Sequence, residues 1–403
     1  MFGGRLADIY GLRNVVVAGL AVFAAASLVG GLAGSATLLV TARAIQGLGA
    51  AVLAPATLTL LTTTFPEGPQ RVRAIAWWTA VGLAGGTGGN LLGGAVTQFL
   101  SWRWILLINV PIGAAAIAIA LRRPRDEPAR GTDIRLDLPG AISGVLGLTA
   151  LTYAIAESHQ RGWADPTTLA AVGVGAVALA GFVAFEARFT PNPLLPLRLL
   201  RAGAVSTGNA LVVLSAACLM PMWFFLAFLM QNGMGYTPLQ TGLGFLPHTL
   251  ITMAVGARLA PALMDGFDAR AVITLGAVIA ALGFGWQGLN AVQLDGGYLE
   301  EIFGPAILIS VGGGLLNTPI TATVTSGVRR DDAGAASGLM NTAKQIGGAV
   351  GLAVLVAVAS APTGLAFDVA FTAMATIVVA VGLGAWLLPG PMAGTGSAAV
   401  RSQ

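Results

Sequence analysis

The chain has 403 residues, of which 56% are apolar and only 9% are charged. A soluble globular protein carries about 25% charged residues, so this composition excludes a soluble enzyme, a disordered protein and a nucleic-acid-binding protein. One cysteine, Cys218, and two distant histidines exclude an intrachain disulfide and a Cys- or His-rich metal site, and the net charge of +4 reflects arginine-rich loops.

Apolar runs without charged residues recur along the whole chain. A helix needs about 20 apolar residues to cross a bilayer, and the runs predict twelve such helices. Their approximate limits are 14–32, 37–61, 74–100, 104–121, 138–156, 166–186, 204–230, 240–263, 270–289, 302–327, 335–359 and 367–388. We therefore predict an all-α polytopic membrane protein in a lipid bilayer.

The arginines indicate how these spans are oriented. When the N-terminus is placed in the cytoplasm, only two loop arginines, Arg103 and Arg161, fall on the outer side. Cytoplasmic loops of membrane proteins carry an excess of Lys and Arg. We predict a multi-pass protein of the plasma (inner) membrane whose N- and C-termini are both cytoplasmic.

Changes in loop composition divide the chain into six segments. They are an incomplete N-terminal bundle of four spans, a basic cytoplasmic loop, two extra central spans, a proline-containing cytoplasmic linker, a C-terminal six-helix bundle and a flexible tail, at 1–121, 122–137, 138–186, 187–203, 204–388 and 389–403. A Gly-x-Arg-Leu-Ala pattern occurs at 3–7 and again at 256–260. Weak symmetry between halves is typical of secondary transporters, although any glycine- and arginine-rich cytoplasmic edge could produce it.

Two cations lie inside predicted spans. An arginine within a bilayer costs about 2.5–3.5 kcal/mol on insertion scales, so Arg43 is expected to face a protein cavity and a partner. Gln46 lies on the same helix face. Lys344 forms a second polar face with Asn341 and Gln345. Each face either lines a proton or substrate path or serves snorkelling and interhelical hydrogen bonds alone.

Span 302–327 has a third polar face. Asn317 and Thr321 lie four residues apart on it, and Pro319 between them is expected to break the helix locally. Asn317 is a further candidate for the path. In span 240–263, His248 is expected to have a packing role more than a role as a proton relay.

Span 74–100 carries glycines at four-residue steps on two adjacent ridges. Each glycine lowers helix propensity by about 1 kcal/mol relative to alanine, so their number indicates close helix packing. The candidates are Gly82, Gly86, Gly89, Gly93 and Gly94. This surface either slides during alternating access or packs statically.

Several motifs resemble a known family. The segment Gly4 to Arg13 resembles the cytoplasmic loop signature of the major facilitator superfamily, and residues 42–51 resemble its fourth-helix motif. The segments 101–113, 231–247 and 336–348 resemble the 14-span drug:proton antiporter branch of that family.

The resemblance implies a two-bundle transporter fold with about twelve helices here. It also implies a gating role for the loop containing Gly4, Asp8, Gly11 and Arg13, in which Asp8 pairs with Arg13 or with a helix N-terminus.

The chain departs from this family in two ways. It begins at the loop that follows the family's second helix, so two helices are expected to be missing. Either the native start lies upstream, or the chain is a truncated transporter that is deficient in coupling. Asn90 stands where the family has a proline before Gly-Gly, and it is a candidate for the path. No carboxylate lies in the middle of a predicted span, and the resemblance implies that the acid used for coupling lies on a missing helix.

The resemblance implies a secondary active transporter that exports drug-like or antibiotic compounds by proton antiport. The expected partners are a small amphiphilic substrate, protons and the lipid bilayer, with no nucleic acid, cofactor or metal, and a monomer is expected. Two alternatives remain open: a small-metabolite transporter, and a truncated membrane protein that does not transport. An enzyme is not expected, because no nucleophile–base constellation and no P-loop is present.

Overall fold

The computed structural model describes residues 6, 10–65, 70, 74, 85, 88–89, 91–122, 138–188, 203–291, 297–325, 333–361 and 364–389. Within these ranges the chain is helical apart from short connections and one small hairpin, which confirms the all-α prediction. The chain divides into two compact units. The N-unit is Met1–Ile142, Ala184–Leu194 and Met230–Leu246, and the C-unit is Ser143–Val183, Leu195–Leu229 and Pro247–Gln403.

The N-unit is built around a pair of long apolar helices. Its helices are α1 (Leu12–Gly31), α2 (Ala36–Thr64), a helical stretch at 91–99, α3 (Trp104–Leu107) and α4 (Asn109–Leu121). Helix α1 begins after Gly11, whose φ of 82° is a left-handed conformation that glycine adopts readily. A Cβ on Gly49 of α2 would lie 2.9 Å from the backbone nitrogen of Phe23, so α1 and α2 pack with their backbones nearly touching.

The remaining elements follow in chain order. They are α5 (Leu138–Arg161), α6 (Pro166–Arg188), α7 (Gly203–Leu219), α8 (Pro221–Phe228), a π-helical turn at Leu229–Gly233, α9 (Pro238–Gly244), α10 (Leu246–Ala254), a π-helical turn at Val255–Leu259, α11 (Ala260–Met264), α12 (Ala269–Asn290), a π-helical turn at Leu299–Phe303, α13 (Gly304–Thr325), α14 (Ala333–Ala359), β1 (Ser360–Ala361), β2 (Gly364–Leu365), α15 (Phe367–Gly384) and a 3₁₀ turn at Ala385–Leu387.

Close backbone contacts between helices hold the C-unit together. Helix α12 packs against both α13 and α15, and a Cβ on Gly276 of α12 would lie 3.0 Å from the carbonyl oxygen of Gly312 on α13. Phe225, Phe284 and Phe371 are fully buried in this unit. Small residues are the usual means of close packing in a bilayer, where apolar burial alone does not favour one helix neighbour over lipid.

Eleven helical segments among the described residues are long and apolar enough to cross a membrane. They are Leu12–Gly31, Ala36–Leu53, Trp104–Leu121, Pro139–Ser158, Pro166–Glu186, Gly203–Gly233, Pro238–Met264, Ala269–Asn290, Leu299–Val324, Gly338–Ala359 and Phe367–Leu387. Each corresponds to one predicted span. The remaining predicted span, 74–100, lies largely outside the described residues.

One local expectation was wrong, and one local feature was not predicted. Helix α13 continues without interruption through Pro319. Pro319 has no N–H to donate to the Leu315 carbonyl oxygen four residues earlier, and this one lost bond is tolerated because membrane helices can satisfy freed groups locally. The sequence also did not predict the antiparallel pairing of Ser360 with Leu365, which connects α14 to α15 through a short hairpin.

The predicted glycine surface is described only in part. Gly82 and Gly86 lie outside the described residues. A Cβ on Gly94 would overlap the carbonyl oxygen of Pro238, so this glycine does mark a close backbone contact within the N-unit. No described atom lies within 4 Å of a Cβ at Gly89 or Gly93, and the packing role of those two glycines stays a prediction.

Candidate functional site

A cavity of about 300 Å³ lies within the C-unit. Helices α7, α8, α10, α13 and α14 supply its walls, together with Met220 between α7 and α8. The residues that line it are Val212, Ser215, Ala216, Leu219, Met220, Met222, Trp223, Thr252, Ile309, Ser310, Gly313, Asn317, Ile320, Thr321, Met340, Asn341 and Lys344. Its volume is at the lower end of the range for small-molecule sites, which is about 300–1,000 Å³.

Three of the polar residues predicted from the sequence meet at this cavity. Asn317 comes from α13, while Asn341 and Lys344 come from α14 and lie three residues apart on one helix face. The side-chain nitrogen of Asn317 donates to the carbonyl oxygen of Gly313 at 3.0 Å. Within the described chain, neither the Asn341 amide nor the Lys344 ammonium has a hydrogen-bond or ion-pair partner, so both groups are available to a ligand.

The hydroxyl groups of the cavity are largely occupied by the protein. The Ser215 hydroxyl donates to the carbonyl oxygen of Val212 at 3.1 Å, and the Thr252 hydroxyl donates to that of Ser310 at 3.3 Å. The Ser215 bond is to the preceding turn of its own helix, whereas the Thr252 bond joins α10 to α13. The hydroxyl protons of Ser215 and Thr252 are therefore already used within the protein.

His248 contacts two residues of the cavity lining, Ser310 and Trp223. It is 1% exposed, and its Nδ1 lies 3.1 Å from the hydroxyl oxygen of Ser310, which lines the cavity. Its ring meets Trp223 edge to face, with centroids 5.7 Å apart. These contacts agree with the packing role expected from the sequence, since the ring positions one serine and one tryptophan of the lining.

Most of the remaining lining is apolar and adaptable. Three methionines contribute to it, Met220, Met222 and Met340, beside the indole ring of Trp223. Methionine is unbranched and polarisable, so it adapts to ligands of different shape. The cavity therefore combines a cation and an amide that have no partner in the described part of the chain with an adaptable apolar surface.

Close packing between α7 and α14 sets the position of Lys344. A Cβ on Gly347 would lie 2.9 Å from the Cα of Val213, and one on Gly351 would lie 2.7 Å from the carbonyl carbon of Ala217. The glycines follow Lys344 by one and two helical turns. The backbone of α14 is thus held against α7 directly beside the cavity.

A separate polar network lies in the N-unit. The Arg43 guanidinium donates through Nη1 to Gln46 Oε1 at 2.6 Å, and Gln46 Nε2 donates to the Ser27 hydroxyl oxygen at 2.6 Å. The Ser27 hydroxyl in turn donates to the carbonyl oxygen of Phe23 at 2.7 Å. Gln46 is 3% exposed and Ser27 is fully buried, so the arginine has the internal partner that its position within a span requires.

The remaining predicted site residues are described only in part. Gly4, Asp8 and Asn90 lie outside the described residues. Arg13 donates through Nη2 to the carbonyl oxygen of Leu121, at the end of α4, at 2.9 Å. Gln345 is exposed on α14 and is not among the described residues that line the cavity.

Sequence reasoning missed Trp223, Ser310 and the methionines of the cavity. An apolar residue inside an apolar span carries no signal, and Ser310 lies 62 residues from its partner His248. The one available signal was the unusual histidine in a span, which needs a hydrogen-bond partner when buried.

The sequence profile of the Major Facilitator Superfamily matches residues 1–352. The chain belongs to this superfamily of membrane transporters. The superfamily assignment confirms the resemblance noted from the loop and helix motifs, although it leaves the 14-span branch and the missing helices as predictions.

Relatives and solved structures agree with this assignment. The chain is 50% identical over 399 residues to the cephamycin export protein CmcT of Amycolatopsis lactamdurans, covering 96% of this chain and 81% of the relative. It is 38% identical over 366 residues to the puromycin resistance protein pur8 of Streptomyces alboniger, covering 90% of this chain and 72% of the relative. The crystal structure of PepTSo, a transporter of the POT family, matches with a TM-score of 0.65 and 14% identity over 96% of this chain and 85% of that one, which supports the fold alone.

Proposed function

We propose that this chain is a secondary active transporter that exports antibiotic-like amphiphilic molecules across the plasma membrane by proton antiport, with both termini in the cytoplasm. The observation that carries the proposal is the cavity of the C-unit, which places unpartnered polar groups of a membrane-spanning helix beside an apolar surface. Transporters of this general kind bind their substrate near the middle of the bilayer. The chain carries out no covalent chemistry in this proposal, and it needs no cofactor.

Export of antibiotics is the substrate class that the relatives support. Two of them are named for cephamycin export and for puromycin resistance, and both are aligned over nine-tenths or more of this chain. We extend that activity to this chain at the level of the compound class, a small organic molecule with both apolar and polar parts.

In this proposal, each unit has its own candidate polar residues for transport. Asn317, Asn341 and Lys344 contact the substrate, and Arg43 with Gln46 forms the polar part of the path in the N-unit. Asn90 and Gln345 remain candidates by their position in the sequence alone.

The experiment is drug export from cells that lack their own major exporters. The chain is expressed in such a bacterial host, and resistance to cephamycin and to puromycin is compared with that of an empty vector. Uptake of each drug into inverted vesicles is then measured with and without a protonophore. We expect resistance to at least one of the two drugs, and uptake of that drug that the protonophore abolishes.

The matched variants are Arg43→Ala and Arg161→Ala. Arg43→Ala removes the donor to Gln46 and should abolish export while the protein remains in the membrane, whereas Arg161 lies outside the candidate spans and pairs with Glu157, so its loss should leave export unchanged. Uptake that persists after the pH gradient is dissipated would contradict proton antiport. If cells that express the unmutated chain show neither resistance nor drug flux, the non-transporting alternative is favoured.

A further inference from the structure

The cavity of the C-unit has an unbalanced charge. Among the described residues that line it, Lys344 is the only charged side chain, and no carboxylate is present. Lys344 is also the sole lysine of the chain. On α14, which starts at Ala333, it lies roughly 16 Å from the first residue at 1.5 Å per residue, well inside the helix.

A cation in such a position needs a compensating anion or strong hydrogen-bond acceptors. Intramembrane lysines pair with acids, with backbone carbonyls or with groups in a polar cavity, because the bilayer core does not solvate a charge. No described residue pairs with the Lys344 ammonium. A negatively charged group on a ligand would supply the missing partner.

Asn341 adds a second donor beside Lys344, which favours a ligand group with two oxygens. It lies one helical turn before Lys344, and its amide also has no partner among the described residues. An ammonium and an amide N–H donor on one helix face can bind the two oxygens of a carboxylate together. Hydrogen bonds that involve a charged group are about twice as strong as neutral ones.

We propose that Lys344 and Asn341 form a subsite for the carboxylate of the transported molecule, and that Trp223 with the three methionines of the cavity binds its apolar body. The substrate class is therefore an amphiphilic organic anion. This inference rests on the proposed export function, which it narrows to substrates with one acidic group. A cationic compound would meet the Lys344 charge without any carboxylate among the described lining residues to offset it.

The test compares an acid with its neutral ester. The probes are benzylpenicillin, which carries one carboxylate, and benzylpenicillin methyl ester, which has the same apolar body without the charge. Binding of each probe to the full chain in lipid nanodiscs is measured by equilibrium dialysis, with empty nanodiscs as the reference for partitioning into lipid.

We expect the acid to bind about 10- to 100-fold more tightly than the ester, the range that follows from a hydrogen-bonded charge pair. Lys344→Met should abolish this preference, Lys344→Arg should retain most of it, and Asn341→Leu should reduce it in part. Equal affinity of acid and ester for the wild-type chain would overturn the inference. So would an unchanged preference in Lys344→Met.

The sole lysine provides a readout that does not depend on a variant. Reductive methylation with ¹³C-formaldehyde labels Lys344 and the chain's α-amine while keeping their charge, and the Lys344 methyl resonance should shift on addition of the acid but not of the ester. If the chemical shift of the Lys344 methyl groups changes with neither probe, the subsite is contradicted, even if the Lys344→Met variant fails to fold.

Export of puromycin, an amine, by the wild-type chain separates this inference from the proposed function. Puromycin export without any acid preference in binding would remove the anion subsite alone. Acid preference in binding without export of any drug would remove the proposed export function alone.

Discussion

Replacing Gln46 by leucine should destabilise the N-unit more than any single change at its neighbours in the polar network. Gln46 is 3% exposed and bonds both Arg43 and Ser27 at 2.6 Å. Leucine keeps the approximate volume and removes both bonds. It leaves the Arg43 guanidinium without the acceptor that its position within a span requires.

The size of the effect follows from the two bonds. A hydrogen bond to a charged group contributes about 1.5–3 kcal/mol, and a neutral side-chain bond within a membrane bundle contributes about 0.6 kcal/mol on average. Gln46→Leu should therefore cost about 2–3.5 kcal/mol. Ser27→Ala breaks two neutral bonds, to Gln46 and to the Phe23 carbonyl, and should cost about 1 kcal/mol, roughly half as much or less.

The assay is reversible unfolding of the purified chain by SDS in mixed micelles, followed by circular dichroism. A double-mutant cycle with Arg43→Met and Gln46→Leu isolates the pair, and we expect an interaction free energy of about 1.5 kcal/mol or more. An interaction below about 0.5 kcal/mol, the usual limit of additivity, would refute the reasoning. So would a Ser27→Ala variant that is as unstable as Gln46→Leu.

Three further predictions can be tested by the same unfolding measurement. Gly351→Ala should cost about 1–3 kcal/mol because its Cβ would overlap α7. The control is Gly285→Ala, where no described atom lies within 4 Å, and it should stabilise α12 by up to about 1 kcal/mol. Equal effects of the two variants would argue against the close contact. The backbone of α6 donates to the Asp165 carboxylate, which lowers the pKa of this group below its ordinary value of 3.8. The wild-type advantage over Asp165→Asn should accordingly be present above about pH 4 and disappear as the pH falls through the lowered pKa, and a difference independent of pH would contradict this origin. Ser310→Ala should cost about 1–3 kcal/mol because it leaves the buried Nδ1 of His248 unpaired, and adding His248→Leu should recover part of the loss, so a strictly additive double variant would exclude the pair.

The sequence predicted the helices well because the signal for a membrane span is local. An apolar run of sufficient length has one stable arrangement in a bilayer, with every backbone group bonded inside its own helix. The expectation of a break at Pro319 was wrong because it also considered only the local sequence. Its ring removes one bond from α13, but the surrounding bundle keeps the helix intact.

The site was predictable only residue by residue. Asn317, Asn341 and Lys344 each stood out as polar residues in apolar runs, and a polar side chain there needs a partner or a cavity. Their convergence on one cavity depends on how α13 and α14 pack, which no local pattern contains. Trp223 shares the cavity and resembles any other apolar residue of its span.

The π-helical turn at Val255–Leu259 carries one residue more than an α-helical turn would hold, and its Gly256 carbonyl accepts a hydrogen bond from the Thr318 hydroxyl at 2.9 Å. Deleting a single residue there would let the segment relax to an ordinary α-helix without any change in the loops. The preceding helix α10 would then rotate by about 100° relative to α11 and swing Thr252 away from the cavity wall. The number of residues in this turn therefore sets which face of α10 lines the cavity. A deletion here is a route by which transporters of related sequence change their substrate without any substitution in the cavity.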